Sequence, residues 1–172
     1  MAPKISPPGY SLAQILLHWI IAALIAFQIL FHEGMEHAFN ALNKGKEVNP
    51  ADLASAQVHE YIGLAILALA VLRLIIRVAR GAPAAPEGQS AIKTKVASAT
   101  QHTLYLILFL MPVTGAAAWI GGISASAYVH QALVPLIFLL VLVHTAGALV
   151  QHFIAKTDVL VRIFRPKSAQ TL

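Results

Sequence analysis

Residues 127–153 read AYVHQALVPLIFLLVLVHTAGALVQHF, a stretch of 27 with no Asp, Glu, Lys or Arg. A transmembrane helix needs about 20 mostly apolar residues. This stretch is long enough to cross a bilayer and too apolar to be a solvated helix. Two histidines interrupt its interior, His130 and His144, 14 residues apart, and a third, His152, stands at its end. At about 100° and 1.5 Å per residue they share a face to within about 40° and sit about 21 Å apart along the axis. One face of one helix therefore carries imidazoles at two membrane depths. Pro135 lies between them, where a kink would change their relative phase.

Three further stretches qualify as spans, at about 12–31, 54–76 and 96–120. The chain has 172 residues, 58 % hydrophobic and only 11 % charged, with a mean hydropathy of +0.74. Soluble domains usually carry about 25 % charged residues, so this chain has too few to coat a globular surface. A soluble enzyme, a disordered tail and a nucleic-acid binder are excluded, in spite of a net charge of +5. Cysteine is absent, which removes disulfides, iron–sulfur clusters, thiolate metal sites and covalently attached c-type haem. The expected fold is an all-α, integral membrane four-helix up-down bundle forming a single domain over residues 1–172. The first span is too long for a signal-peptide core and has no small-residue cleavage site behind it, so it reads as retained.

The basic residues set the expected orientation. Lys4, Arg73, Arg77, Arg80, Lys93, Lys95, Lys156, Arg162, Arg165 and Lys167 fall on one side, ten of the twelve Lys and Arg. The other side holds Lys44 and Lys46 with Glu33, Glu36, Glu47, Asp52 and Glu60. Both termini are thus expected in the cytoplasm. Residues 32–53 form the one sizeable outer segment, and Asp158–Arg165 reads as a short amphipathic piece on the inner surface.

Eight histidines outnumber the seven acids. An ionisable group inside a span is a functional hypothesis by default, because burying it without a partner costs several kcal/mol. His18, His59, His130 and His144 lie within spans. His59 and His130 are each a few residues from an outer helix start, and His18 and His144 are at matching distances from inner helix ends. A haem iron held by two histidines takes one imidazole from each side of the macrocycle. The depths pair His59 with His130 outside and His18 with His144 inside, giving two stacked non-covalent haems. His32 is also 14 residues from His18, but it is followed directly by Glu33 and Gly34, where the first helix should end. His59 is the better partner. Gly63 would let a flat macrocycle approach the backbone, and Arg73, on the same face at inner depth, is placed to pair with a haem propionate. The bland alternatives are hydrogen bonds between helices for a single histidine and snorkelling to headgroups for Arg73 and Arg77. Trp19 is expected inside the bundle, Trp119 at the interface, Tyr105 in the core, and His37 in solvated loop.

These residues together resemble the bacterial cytochrome b561 family, which shares its membrane domain with the nickel-hydrogenase b-type cytochromes. The resemblance runs through Leu17-His18-Trp19, His59 with Gly63, Arg73 and Arg77, Leu104-Tyr105 ahead of Pro112 and Gly115, His130, His144, Ala148-Leu149 before His152, and Asp158, Leu160 and Arg162. It is closest to the short four-helix members, which include superoxide oxidase. It implies haem b on His18, His59, His130 and His144, electron transfer between membrane faces in the bacterial inner membrane, and ubiquinone as redox partner. In superoxide oxidase, periplasmic superoxide is oxidised to dioxygen and its electron reduces quinone. Related sequences commonly place a histidine four residues before the third-helix tyrosine; here Gln101 stands there and His102 follows it.

Three functions are compatible with this pattern. The first is a superoxide:quinone oxidoreductase, with His152 or His102 near the inner end relaying protons to quinone. The second is a non-catalytic electron-transfer subunit anchoring a separate dehydrogenase or hydrogenase through residues 32–53. The third, a metal-ion transporter, is disfavoured because the span interiors hold almost no carboxylates.

Overall fold

A computed structural model describes residues 7–86 and 88–166, and among them only helices occur, with no strand. Lys4 and Lys167, two of the ten basic residues used for orientation, lie outside the described residues. Six helices follow in order: α1 (Leu12–Leu30), α2 (Glu33–Asn43), α3 (Pro50–Arg80), α4 (Ala91–Trp119), α5 (Ser124–Phe153) and α6 (Val159–Arg162). Helices α1, α3, α4 and α5 are each long and apolar enough to cross a membrane. Three of them outrun the apolar stretches read from sequence. α3 has 31 residues, or about 46 Å of helix, against a hydrocarbon core of about 30 Å. Its polar first turns and its basic last turn continue the helix beyond the apolar segment.

Local chemistry sets the boundaries. Ser11 caps α1 in a reciprocal capping box with Gln14. Asn49 caps α3 just ahead of Pro50, whose missing N–H costs nothing at that position. Ser90 caps α4 through the Lys93 N–H. The turn between α4 and α5 contains Gly122 at φ +65°, a conformation that favours glycine.

The outer segment was read with His37 in a solvated loop, and the structure corrects that reading. It contains α2, an 11-residue helix with Glu33 and Glu36 in its first turn, where they complement the helix dipole. α2 packs on α3 and buries Ala38 completely. His37 is therefore helical and lies 3.7 Å from the Asp52 carboxylate, although it remains exposed.

The helices pack in series: α1 on α3, α3 on α4 and α4 on α5. The ring of contacts is open. No Cα of α1 comes within 8 Å of α5, and none of α3 comes within 8 Å of α5. Packed helices normally sit 8–10 Å axis to axis, so α5 is held off from both. Beyond α5 the chain turns back through α6. Trp19 Nε1 donates to the Ile163 carbonyl at 3.0 Å, and its ring stacks on Phe164 at 4.8 Å. Trp19 thus packs against this returning segment, 40 % exposed, and not inside the bundle as its position suggested. Below, the end of the bundle that carries α2 is the α2 end, and the end that carries residues 81–90 between α3 and α4 is the linker end.

Candidate functional site

Two histidine pairs cross the gaps around α5. At the linker end, His18 of α1 faces His144 of α5, with ring centroids 6.1 Å apart. Towards the α2 end, His59 of α3 faces His130 of α5 at 6.3 Å. All four residues are half-buried. With Pro135 inside it, α5 is still one continuous helix, and both of its histidines meet their partners. Each pair joins helices whose backbones stay apart, so side chains alone span those gaps.

The α2-end pair borders a cavity of about 560 Å³. Its walls include Ile66, Leu108, Met111 and Ile137, with Gly63 and Gly115 at the backbone and Met35 and Phe39 of α2 above. A few polar groups reach it, among them Gln28, His32, Glu36 and Glu60. An apolar cleft with a few convergent polar groups is the usual form of a cofactor site. His32 thus reaches the cavity, but it is exposed, and its Nδ1 lies 3.0 Å from the Ile29 carbonyl in the last turn of α1. Trp119 also lines the cavity and is not only an interface anchor.

The chain matches the family described as prokaryotic cytochrome b561 over residues 9–166. A relative from Cereibacter sphaeroides, described as cytochrome b562, is 38 % identical over 160 residues, 93 % of this chain and 98 % of that protein. This chain belongs to the prokaryotic cytochrome b561 family. It is accordingly a multi-pass membrane protein that carries haem b and transfers electrons.

Within this cytochrome the other sequence candidates take distinct places. Arg73 of α3 reaches α1 and donates from Nη1 to the Gln14 carbonyl at 2.9 Å, one turn from His18. Arg77 does more than snorkel. It donates to Gln101 Oε1 at 3.2 Å and lies over the Tyr105 ring at 5.8 Å. Gln101 thus faces the bundle, and the Tyr105 hydroxyl beside it is buried with no hydrogen-bond partner. His102, one residue on, is turned out and exposed, with Nδ1 2.7 Å from the Ser98 carbonyl. His152 stays half-buried against Phe153 and lines a small hollow with Leu160, Phe164 and Arg165. Its Nδ1 is buried without a partner.

Gly63 leaves open space in front of α3. A Cβ there would meet only Gln28 Nε2, at 3.7 Å. That amide donates to the His59 carbonyl at 2.8 Å and ties α1 to the turn bearing His59. Sequence reasoning missed two features of the α2-end pair. His130 Nδ1 lies 2.8 Å from the main-chain carbonyl of Met111 on α4. Gly115, named from sequence only as part of the family resemblance, is the residue against which the His130 ring rests: a Cβ there would lie 3.0 Å from His130 Cε1.

Proposed function

We propose that this cytochrome is a di-haem b oxidoreductase moving single electrons across the membrane, one haem held by His18 and His144 and the other by His59 and His130. The observation that carries this reading is the pair of ring separations, 6.1 and 6.3 Å, across helix pairs whose Cα atoms nowhere come within 8 Å of each other. Imidazole nitrogens bind metals at about 2 Å, so two rings sharing one iron have centroids roughly 6 Å apart. The donor chemistry agrees. A main-chain carbonyl can only accept, so His130 Nδ1 carries the proton and Nε2 is left with a free lone pair. His59 Nδ1 is buried without a partner, and the cavity beside the pair is lined mainly by apolar side chains.

Bound haem b supplies one-electron iron chemistry. With the two histidines of a pair holding the iron from either side, a substrate would have to exchange electrons without bonding the metal. The protein's part is to hold the rings at two levels and to set the local charge. Arg73, one turn from His18, puts a cation beside the linker-end pair, placed for a propionate.

The basic-residue count assigns the linker end to the cytoplasm of a bacterial inner membrane, and the α2 end to the periplasm. Superoxide is the proposed periplasmic donor and ubiquinone the acceptor. Two superoxide anions each lose one electron to give dioxygen, and one quinone takes two electrons and two protons to give quinol. His152, which borders a hollow at the linker end and has a buried Nδ1 without a partner, is the proposed proton relay. The outward-facing His102 drops out of that role.

A second reading is supported by the charge of the α2 end. Glu33, Glu36, Glu47, Asp52 and Glu60 there face only Lys44 and Lys46, a balance that repels an anion and suits a basic redox protein. In that case the chain is the membrane electron-transfer subunit of a separate dehydrogenase or hydrogenase. Haem-loaded protein in ubiquinone-containing liposomes, pulsed with superoxide, separates the two. One quinol formed per two superoxide anions supports the oxidase. Superoxide decay at the protein-free rate, with haems that a partner dehydrogenase still reduces, replaces it with the subunit reading.

A further inference from the structure

The His130 ring is held by α4 in a way that none of the other three paired histidines is held, among the described residues. Its Nδ1 is 2.8 Å from the Met111 carbonyl. The Thr114 hydroxyl approaches the same nitrogen at 3.4 Å, while sharing its own proton between the Leu110 carbonyl at 2.6 Å and the Met111 carbonyl at 3.0 Å. Ser126 of α5 in turn donates to the Thr114 carbonyl at 2.9 Å, locking the first turns of α5 onto this part of α4. The ring comes this close because residue 115 has no side chain. A Cβ on Gly115 would lie 3.0 Å from Cε1 and 3.1 Å from Nδ1, closer than a ring accepts without moving.

The geometry points to Gly115 and Thr114 as positioning residues that set the redox potential of the α2-end haem through the Met111–His130 hydrogen bond. The inference rests on the di-haem reading above. Donating Nδ1–H to a carbonyl makes an imidazole a more basic ligand. A more basic ligand stabilises the oxidised iron, so the bond lowers the potential of the haem it serves. His18 and His144 show no such bond, and His59 Nδ1 has no partner. The effect therefore falls on one haem of the two. Gly115 admits the ring to the carbonyl. Thr114 competes for that carbonyl with part of its hydroxyl proton. Removing the glycine and removing the hydroxyl should thus act in opposite directions.

The test is a spectroscopic redox titration, with low-spin EPR, of haem-loaded wild type, Gly115→Ala and Thr114→Val, the unshifted haem serving as internal control. Gly115→Ala displaces the ring by a few tenths of an ångström, weakening its bond to the carbonyl, and should raise one potential and move one EPR signal. Thr114→Val removes the hydroxyl's share of the carbonyl and should lower that same potential by a smaller step. If Gly115→Ala loses that haem outright, the Thr114→Val shift decides. Two haems whose potentials and EPR signals match wild type in both variants, or shift together, overturn the inference while leaving the di-haem reading intact. Wild type lacking a second haem would instead remove the reading on which it rests.

Discussion

The two histidine pairs have nearly the same ring separation but stand in opposite surroundings. At the linker end the helices are laced by side chains that cross between segments. Arg73 reaches the Gln14 carbonyl, Gln14 reaches the Gly81 carbonyl, Arg162 reaches the Ala84 carbonyl, and Gln151 pairs with Gln89. At the α2 end the pair borders an open cavity, with His130 fixed to the α4 backbone and His59 Nδ1 left bare. One end is therefore built for rigidity and the other for access. Electrons enter or leave most readily where side chains do not seal the site.

Removing a ring of the open pair should have the largest effect. His59→Ala should lose one of two haems, whereas His32→Ala, a change at the exposed cavity margin, should retain both, as counted by pyridine haemochrome. Arg73→Leu acts at the other end. It leaves the Gln14 carbonyl with one donor fewer and should lower stability by about 2 kcal/mol, the usual scale for a charged hydrogen bond. Losing a cation beside the linker-end pair should also lower the potential of that haem alone, which redox titration would reveal. His152→Ala should slow quinone reduction severalfold at unchanged haem content, and His102→Ala should leave the rate as it was, both followed by quinol formation. The smallest effect belongs to Trp19→Phe, which keeps the stack on Phe164 but drops the bond to Ile163. A cost of about 1 kcal/mol should appear as faster hydrogen exchange confined to residues 158–165.

The four long helices were legible because apolar runs of about 20 residues are the hallmark of a membrane span. The proximity of His18 to His144 and of His59 to His130 was legible for a similar reason: 14-residue spacing on one helix fixes face and depth together. α2 was less visible. Met35, Ala38, Phe39 and Leu42 do carry a helical period, but the run is short and surrounded by charge, and its burial against α3 is a tertiary fact. The Met111 carbonyl leaves no mark in a sequence, since every residue has one. Gly115 was visible as a letter, but its use depends on which ring of α5 arrives opposite it. Trp19 was misread because its partners, Ile163 and Phe164, lie more than 140 residues further along the chain.

If each pair of rings holds one haem, the number of haems per chain is fixed. It can be read from the ratio of haem b to polypeptide in the purified wild-type protein, combined with a redox titration of the same sample. Two haems per chain, titrating as two separate one-electron steps, are expected. A single haem per chain would contradict the di-haem arrangement, because one of the two histidine pairs would then have no iron to share.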